Sequence, residues 1–386
     1  MTASQDLTTE TGLCDYLKAA NGQSKPVDIE PLSGGTANYV YRVTNQGARS
    51  IYKHAAPYLH SNKSFAFDPT RMDYEARVLE ILSPASSESP LSKQLPTSCV
   101  HAVQILSYDK DQKLLCIEDG GSQHLKDAYT DLKLDIPHVG EELAKWIAAL
   151  HACSSEISLA LPGSGVNVEG NNNNPVAINI YRYSYKNLYD ALARFGQDPE
   201  LAHRINERFG SLLKTDNECI CHGDFWPGNV LVQLNSHVSQ IPPDSTIDGK
   251  KPVEFTVVDW EMCRRGTSAT DVGQFAAEAW LLDCFRGDRG LLPAFLIAYA
   301  TARESGTESA APLGRAWLRR MVVHWAVHVA FWPTVVEWTG KDGTQKLVDI
   351  GVDVLKDVLD ENWEKLLESP LLRGVKEAYA PLLTRP

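Results

Sequence analysis

Several features are missing from this sequence of 386 residues, and each absence excludes a class of protein. Basic residues are not in excess, since 37 Lys and Arg face 49 Asp and Glu, for a formal net charge of −12. We therefore expect no nucleic-acid partner and no binding to an anionic membrane surface. The strongest apolar run, at 322–332, is far shorter than the roughly 20 residues of a membrane span.

The eight cysteines form no motif that would suggest a metal site or a disulfide framework. No Cys-x-x-Cys pair occurs, and the one close pair is Cys219 and Cys221. Most of the cysteines lie in apolar segments, where a free thiol behaves as a small hydrophobic group. Residues 1–22 are polar and acidic and carry no secretory signal, so the sequence predicts a cytoplasmic protein.

Hydrophobic residues make up 43% of the chain, which is enough for a substantial core. Alternating apolar residues predict strands over 27–60 and 100–119, with one helix over 70–82 between them. From about residue 122 helical periodicity dominates, interrupted by two short apolar strands. The pattern predicts an α+β fold with a helical extension at 1–26, a small β-rich lobe at 27–120 and a larger, mostly helical lobe at 121–386.

The most informative segment reads Cys-His-Gly-Asp-Phe-Trp-Pro-Gly-Asn at 221–229 and is followed by Val-Asp-Trp-Glu at 258–261. Asp224 and Asn229 lie on a turn before a predicted strand, and Asp259 ends the next strand. Two carboxylates and one amide on adjacent loops offer the oxygen ligands that Mg²⁺ prefers. One carboxylate remains to orient and deprotonate a hydroxyl, so the pattern predicts phosphoryl transfer with Asp224 as the base.

This motif, His-Gly-Asp with Asn five residues after the Asp and then Asp-x-Glu, resembles that of aminoglycoside phosphotransferases, choline kinases and their relatives. The resemblance implies a two-lobed, protein-kinase-like fold, ATP and Mg²⁺ as cofactors, and a small-molecule hydroxyl as acceptor. Asn229 and Asp259 are then the expected metal ligands. Glu261 is a further candidate ligand, with a surface glutamate as the alternative. His222 and Asp271 are expected to support the loop, Asp271 also by capping a helix.

Other segments match the same superfamily in chain order. The Leu-Ser-Gly-Gly turn resembles the hairpin over the nucleotide, where Gly34 and Gly35 let backbone approach phosphate. Lys53 matches the lysine that neutralises the α- and β-phosphates. Glu75 is expected to hold that lysine forward, although Glu80 is a competing partner.

Two further matches lie between the lobes and at a helix end. Glu118 and Asp119 fall where the superfamily has the inter-lobe hinge, whose backbone bonds adenine. His151, at a Leu-His helix end, is interpreted as structural rather than catalytic.

The late helix at 318–332 bears on the acceptor. Its paired arginines resemble those of methylthioribose kinases, which implies that Arg320 lies near the transferred phosphate and the substrate. The chain also resembles fungal kinases of the psilocybin pathway, which phosphorylate a hydroxytryptamine. An aromatic pocket for such an acceptor competes with a plain core stripe. The candidate pocket residues are Trp226, Trp325, His328 and Trp332.

Three functions are compared on these residues. The leading one is an ATP-dependent kinase of a metabolite hydroxyl. An aminoglycoside phosphotransferase is ranked lower, because Glu337 and Asp342 do not form the carboxylate cluster that such enzymes carry late in the chain. A non-catalytic kinase-fold binding protein would have lost Lys53, Asp224 or Asp259, and all three are present.

Overall fold

The computed structural model of this chain describes residues 5–21, 27–33, 35–84, 91, 93–161, 172–234, 253–305 and 313–385. Its α-helices are α1 (Glu10–Asn21), α2 (Arg71–Leu82), α3 (Leu125–Ala128), α4 (Ile136–Cys153), α5 (Pro175–Tyr181), α6 (Tyr183–Arg194), α7 (Pro199–Ile205), α8 (Ser268–Arg286), α9 (Leu291–Glu304), α10 (Arg315–Phe331), α11 (Lys341–Leu359), α12 (Trp363–Leu367) and α13 (Lys376–Tyr379). Its strands are β1 (Asp28–Pro31), β2 (Tyr39–Asn45), β3 (Ala48–His54), β4 (Tyr58–Leu59), β5 (Asn62–Ala66), β6 (Val100–Ala102), β7 (Ile105–Asp109), β8 (Leu114–Glu118), β9 (Gln123–His124), β10 (Cys219–Cys221), β11 (Val230–Leu234), β12 (Val253–Val257) and β13 (Arg264–Gly266).

A five-stranded antiparallel sheet in the order β1-β2-β3-β8-β7 forms the N-terminal part of the fold. Side chains alternate along each strand, so the sheet presents two apolar faces. On one face Tyr39, Tyr41 and Val43 of β2 form a small core with Leu13 and Leu17 of α1. The predicted helical extension is thus an element that covers this face of the sheet.

The opposite face of the same sheet packs against α2 and joins the main core. Ile51 of β3 and Ile117 of β8 belong to one buried cluster with Met72 and Leu79 of α2. Helix α2 is buried along most of its length. This packing places the charged residues of β3 and α2 beside one another, which matters for the site below.

A second sheet in the order β6-β12-β11-β9 lies beyond the first. Residues 100–119 are predicted to form two strands, the first over 101–109, but that first segment forms two strands in different sheets, since β6 pairs in parallel with β12 while β7 pairs with β8. The apolar alternation runs through both, so periodicity could not show that the chain changes sheets between Ala102 and Ile105.

Helices α9 and α10 pack against α8, which is buried from Ser268 through Asp283. Helix α10 approaches α8 closely at Gly273, where an added Cβ would lie 2.8 Å from the carbonyl oxygen of Met321. The α+β fold class predicted from the sequence is confirmed. Within the described residues, no helix combines the length and apolarity needed to cross a bilayer.

Candidate functional site

The loop after β10 carries Asp224 and is held by a buried carboxylate. Asp271, near the start of α8, accepts hydrogen bonds from the backbone N–H groups of His222 (2.7 Å) and Gly223 (3.0 Å). Gly223 has a φ of +84°, and a Cβ there would overlap the carbonyl oxygen of Met262. The turn therefore requires glycine, and Asp271 fixes the backbone immediately before Asp224.

The carboxylate of Asp224 is held at both oxygens. Gln274 of α8 donates from Nε2 to Oδ1 at 2.6 Å, and Asn229 donates from Nδ2 to Oδ2 at 2.9 Å. Burial raises the pKa of Asp224 to about 6, with further contributions from the charges of Asp259 and Glu278. An oriented carboxylate with a pKa in this range is suited to accept a proton near neutral pH.

His222 connects the loop to the strand that precedes Asp259. Its Nε2 donates to the carbonyl oxygen of Val258 at 3.0 Å, and its Nδ1 accepts from the backbone N–H of Asp224 at 3.2 Å. The second contact needs an unprotonated Nδ1, and burial lowers the pKa of His222. The contacts are those of a neutral imidazole that ties two loops together.

His151 stands behind Asp271. Its Nε2 lies 3.2 Å from the Asp271 carboxylate and its Nδ1 lies 3.0 Å from the hydroxyl of Tyr299. Although burial acts in the opposite direction, the hydrogen bond from His151 lowers the pKa of Asp271 to about 2. Asp271 therefore stays ionised and keeps its two backbone hydrogen bonds at any ordinary pH.

Lys53 of β3 joins the two parts of the molecule. Its ammonium group lies 2.7 Å from the Glu75 carboxylate on α2 and 2.7 Å from Asp259 Oδ1. The backbone N–H of Trp260 donates to Glu75 at 3.2 Å. Sequence reasoning paired Lys53 with Glu75 or Glu80, and the structure pairs it with Glu75, while Glu80 contacts Arg77.

Asp259 has a left-handed backbone, with φ 68° and ψ 60°, which is uncommon for a residue with a side chain. Burial disfavours its charge, but the nearby Lys53 ammonium lowers the pKa of Asp259. Its side chain is 38% exposed, whereas those of Lys53 and Glu75 are 7% and 0% exposed. Asp259 is thus the member of this group that a ligand in the cleft can reach.

Glu261 is buried, so the surface alternative for this residue is wrong. Its Oε2 accepts from Nδ2 of Asn38 at 2.7 Å and lies 3.2 Å from Nε of Arg71. Nη2 of Arg71 in turn donates to Oδ1 of Asn38 at 2.9 Å. Burial and the charge of Asp259 raise the pKa of Glu261 to about 7. This network anchors the start of β2 to the segment after Asp259.

The oxygen atoms in this region fit a hard divalent cation. One carboxylate oxygen from each of Glu75, Asp259 and Glu261 lies within 4.8 Å of the others. The amide nitrogen of Asn229 is used by Asp224, which leaves the Asn229 carbonyl oxygen as the atom to offer a metal. A set of carboxylate and amide oxygens matches the ligand preference of Mg²⁺.

The expected hinge residues lie at the end of β8. Asp119 accepts from Nε of Arg42 at 2.8 Å, and Glu118 accepts from the backbone N–H of Gln104 at 2.8 Å. Gly35 has open space around it, and Gly34 lies outside the described residues. Both hinge side chains are therefore engaged in contacts that hold the segment. Only the backbone groups of this segment are left to form hydrogen bonds with adenine.

Of the expected acceptor residues, Trp226 and Trp332 are partly exposed, whereas His328 is buried. Trp226 is half-buried in the loop that carries Asp224, and the ammonium group of Lys126 lies 5.2 Å from its ring centre. His328 lies 2.7 Å from Oε1 of Glu278, and its ring centre is 6.1 Å from that of Trp332. Trp332 is only partly buried.

Two residues expected at the acceptor site lie elsewhere. Trp325 is fully buried and packs edge-on against Trp280 at 5.2 Å, so it belongs to the core. Arg320 makes a two-bond ion pair with Asp216, with Nη1 to Oδ1 at 3.0 Å. Arg320 lines a different cavity, and Asp224 is not among the residues of its wall. Shared helical spacing could not separate side chains that face the core from those that face the cleft.

Several residues of the site were missed from the sequence. Gln274 and Glu278 lie one turn apart on α8, three and seven residues after Asp271. Asn38 and Arg71 have no motif, because their contact with Glu261 is made only in the folded chain. Asn174 caps α5 and donates to the carbonyl oxygens of Glu261 (3.3 Å) and Cys263 (2.9 Å). The Asn-Pro pair at its position was a usable cap signal.

Comparison with known proteins agrees with this site. Residues 28–313 match the phosphotransferase enzyme family, abbreviated APH, so the chain belongs to that family. It is an ATP-dependent kinase that phosphorylates a hydroxyl group of a small molecule.

Among curated proteins, a 4-hydroxytryptamine kinase of Psilocybe cyanescens is 26% identical over 392 residues, covering 97% of this chain and 98% of that protein. A 4-hydroxytryptamine kinase of Psilocybe cubensis is 24% identical over 384 residues, covering 95% and 98%. Among solved structures, an ethanolamine kinase of Plasmodium vivax is 16% identical with a TM-score of 0.47, covering 92% of this chain and 90% of that one.

Proposed function

We propose that this kinase transfers the γ-phosphate of ATP to the hydroxyl of a small hydroxylated amine, with Asp224 as the catalytic base. The observation that carries this proposal is the geometry around α8. Gln274 holds Asp224, and Glu278 lies on the same face of the helix, about 6 Å further along its axis. A small acceptor could therefore place its hydroxyl at Asp224 and its cationic group at Glu278.

In the proposed mechanism Asp224 accepts the proton of the acceptor hydroxyl. Asn229 holds the Asp224 carboxylate from one side and Gln274 holds it from the other. The carboxylate therefore does not have to reorganise during transfer. Because the transition state for phosphoryl transfer is loose, positioning of the hydroxyl contributes more than proton removal. His222 and Asp271 act through the loop backbone and are positioning residues.

The nucleotide is proposed to bind between the two sheets. Lys53, held forward by Glu75, neutralises phosphate oxygens, and the backbone of Glu118 to Gly120 bonds adenine. Asn229 and Asp259 would hold Mg²⁺, with the charge of Glu261 beside them. When bound, the ion neutralises negative charge that develops on the phosphates.

The acceptor side is proposed to recognise an amine. Glu278 is buried, its Oε1 contacts His328, and its Oε2 has no hydrogen-bond partner among the described residues. A buried carboxylate oxygen without a partner is costly, and an ammonium group would satisfy it. The flat side chains of Trp332, whose ring centre lies 6.1 Å from that of His328, and of Trp226 in the loop after Asp224 suit an aromatic acceptor. The two fungal relatives, which carry the name 4-hydroxytryptamine kinase, support a tryptamine-like acceptor.

The experiment measures ADP release with 4-hydroxytryptamine, 4-hydroxyindole, choline, ethanolamine and kanamycin. We expect 4-hydroxytryptamine to give the highest kcat/KM and Asp224→Asn to lower kcat about 10³-fold with every substrate used. Glu278→Gln should cancel the preference for 4-hydroxytryptamine over 4-hydroxyindole, while Glu337→Gln, at an exposed carboxylate, should not. Phosphorylation of 4-hydroxyindole as efficiently as the amine by the unmodified enzyme would refute the amine proposal.

A further inference from the structure

A cavity of about 470 Å³ lies behind the catalytic loop, on the side away from Asp224. Its wall is formed by the start of α10, the start of β10, the start of α8 and the segment that follows α7. Asp224, Asn229 and Asp259 are not among its lining residues. It reaches the surface at Arg208 and Ala316, which are exposed. The cavity is therefore separate from the cleft that holds the candidate active site.

The wall of this cavity is rich in guanidinium groups. Four arginines line it, at 208, 303, 319 and 320, against the single carboxylate of Glu218. Arg320 is paired with Asp216 and Arg319 with Glu361, and neither of those carboxylates lines the cavity. The guanidinium of Arg208 lies over the ring of Phe209 at 5.5 Å.

The wall also carries apolar side chains, two of them aromatic. Trp317 and Phe209 line the cavity together with Leu212 and Ala316. A volume of a few hundred Å³ with mostly apolar walls and a few charged groups is typical of small-molecule sites. Arginine side chains bind planar anions by two parallel hydrogen bonds and also stack on aromatic groups. The chemistry favours an organic anion with an apolar body over an inorganic ion.

A continuous set of contacts runs from this cavity to the catalytic loop. Arg303 donates to the hydroxyl of Tyr299 at 3.1 Å, and that hydroxyl lies 3.0 Å from His151. His151 contacts Asp271, which accepts from the backbone N–H of Gly223. Both Arg303 and His151 line the cavity. A ligand that shifts either side chain would change the support of the residue next to Asp224.

We propose that this cavity binds a small organic anion, such as an aryl carboxylate or sulfonate, and that binding alters turnover through the contacts from Arg303 to Asp271. The binding part stands by itself, whereas the effect on turnover rests on the proposed function of Asp224. Arg320 then belongs to this second site and not to the acceptor site that the sequence suggested.

The test uses the fluorescent sulfonate 8-anilinonaphthalene-1-sulfonate with the full chain and saturating ATP and Mg²⁺, which occupy the nucleotide site. We expect saturable binding at one site. Ala316→Trp, which fills the cavity, and Arg208→Glu, which reverses a charge at its rim, should each weaken binding at least tenfold. Arg204→Glu, at a nearby exposed arginine that does not line the cavity, is the matched control. Thermal melts of each variant establish that it is folded.

Turnover is measured on the same samples. The dye should change kcat at least twofold in the unmodified enzyme and leave kcat unchanged in Ala316→Trp. No binding with ATP present, or equal binding by Ala316→Trp, overturns the site, and binding without a change in kcat overturns the link to Asp224. If the enzyme transfers no phosphate even without the dye, the proposed function has failed, and the binding result still decides the site.

Discussion

At the scale of single residues, the proposed chemistry depends on how Asp224 is held. Its two oxygens accept from Gln274 and Asn229, and both hydrogen bonds favour the ionised form. Burial and the charges of Asp259 and Glu278 act in the opposite direction and dominate, so the pKa is raised to about 6. A raised pKa makes this carboxylate a better base than an exposed aspartate, provided that it is still ionised at working pH.

The pH dependence of kcat/KM tests this balance. Because the base must be ionised, kcat/KM should fall as pH decreases through about 6. Gln274→Leu removes a hydrogen bond to the charged form, so the acidic limb of the profile, where kcat/KM falls, should move to higher pH. Glu278→Gln removes a negative charge and should move it to lower pH.

The measurement is kcat/KM against pH with one acceptor, for the two variants and the unmodified enzyme. Shifts in the same direction in both variants, or no shift in either, would show that another group controls the limb. Asp342→Asn, at an exposed carboxylate near the start of α11, is the control that should leave the midpoint in place.

At the scale of elements, the site is built where a tight turn meets the start of a buried helix. Strand β10 ends at Cys221, and the chain then turns sharply at Gly223. Only glycine fits at this turn, because the carbonyl oxygen of Met262 leaves no room for a Cβ. Helix α8 starts against this turn and supplies both Asp271 and Gln274. The turn fixes the direction of Asp224, and the helix holds it there.

Two glycines with positive φ angles allow the cost of an unfavourable φ to be distinguished from the cost of a steric clash. Gly196 has φ +67° with nothing within 4 Å of an added Cβ, whereas Gly223 has φ +84° and no room. Gly196→Ala should therefore cost about 1 kcal/mol in the free energy of unfolding and leave kcat unchanged. Gly223→Ala should cost more and lower kcat, because the loop must move away from Met262.

Urea unfolding and steady-state kinetics on the two variants provide the comparison. Equal losses of stability, with kcat intact in Gly223→Ala, would mean that the close approach to Met262 is not needed for the active loop.

At the scale of the whole molecule, the site exists only because two parts of the chain meet. We propose that residues 27–120 and 121–386 act as two lobes, with 1–26 as an extension on the first. Lys53 and Asn38 come from the first lobe and contact Asp259 and Glu261 in the second. Strand β6 belongs to the first lobe by sequence, yet it pairs with β12 of the second lobe. The lobes therefore share one site and one core.

Nucleotide binding should stabilise this arrangement as a unit. ATP with Mg²⁺ at about one hundred times its Kd should raise the free energy of unfolding by about 2.7 kcal/mol, seen as an increase in Tm. Removing the metal with EDTA should reduce that increase, because the negative charges of Asp259 and the phosphates then face each other unscreened.

Asp259→Asn should abolish the difference between ATP with and without Mg²⁺, while Glu254→Gln on β12 should preserve it. A Tm increase that is the same with and without Mg²⁺ in the unmodified enzyme would argue against a metal between Asn229 and Asp259.

The sequence by itself determined the fold class and the chemistry of the central motif. Strands, helices and the run from His222 to Asn229 depend on local spacing and on turn residues, which a single chain displays directly. Asp224, Asn229 and Asp259 could be named because the first two lie on a turn before a predicted strand and the third ends the next strand.

Only the tertiary structure decided which other side chains reach that motif. Gln274, Glu278 and Asn38 lie far from Asp224 or Asp259 in sequence, and no periodicity reports a contact across such a distance. Trp325 lies within α10 and packs against Trp280 of α8 in the core, whereas Trp332 directly follows the end of α10 and is only partly buried. Arg320 was assigned to the acceptor by likeness of motif, and its place beside Asp216 was set by packing. Local pattern determines which elements form, whereas burial and long-range contact determine what each side chain does.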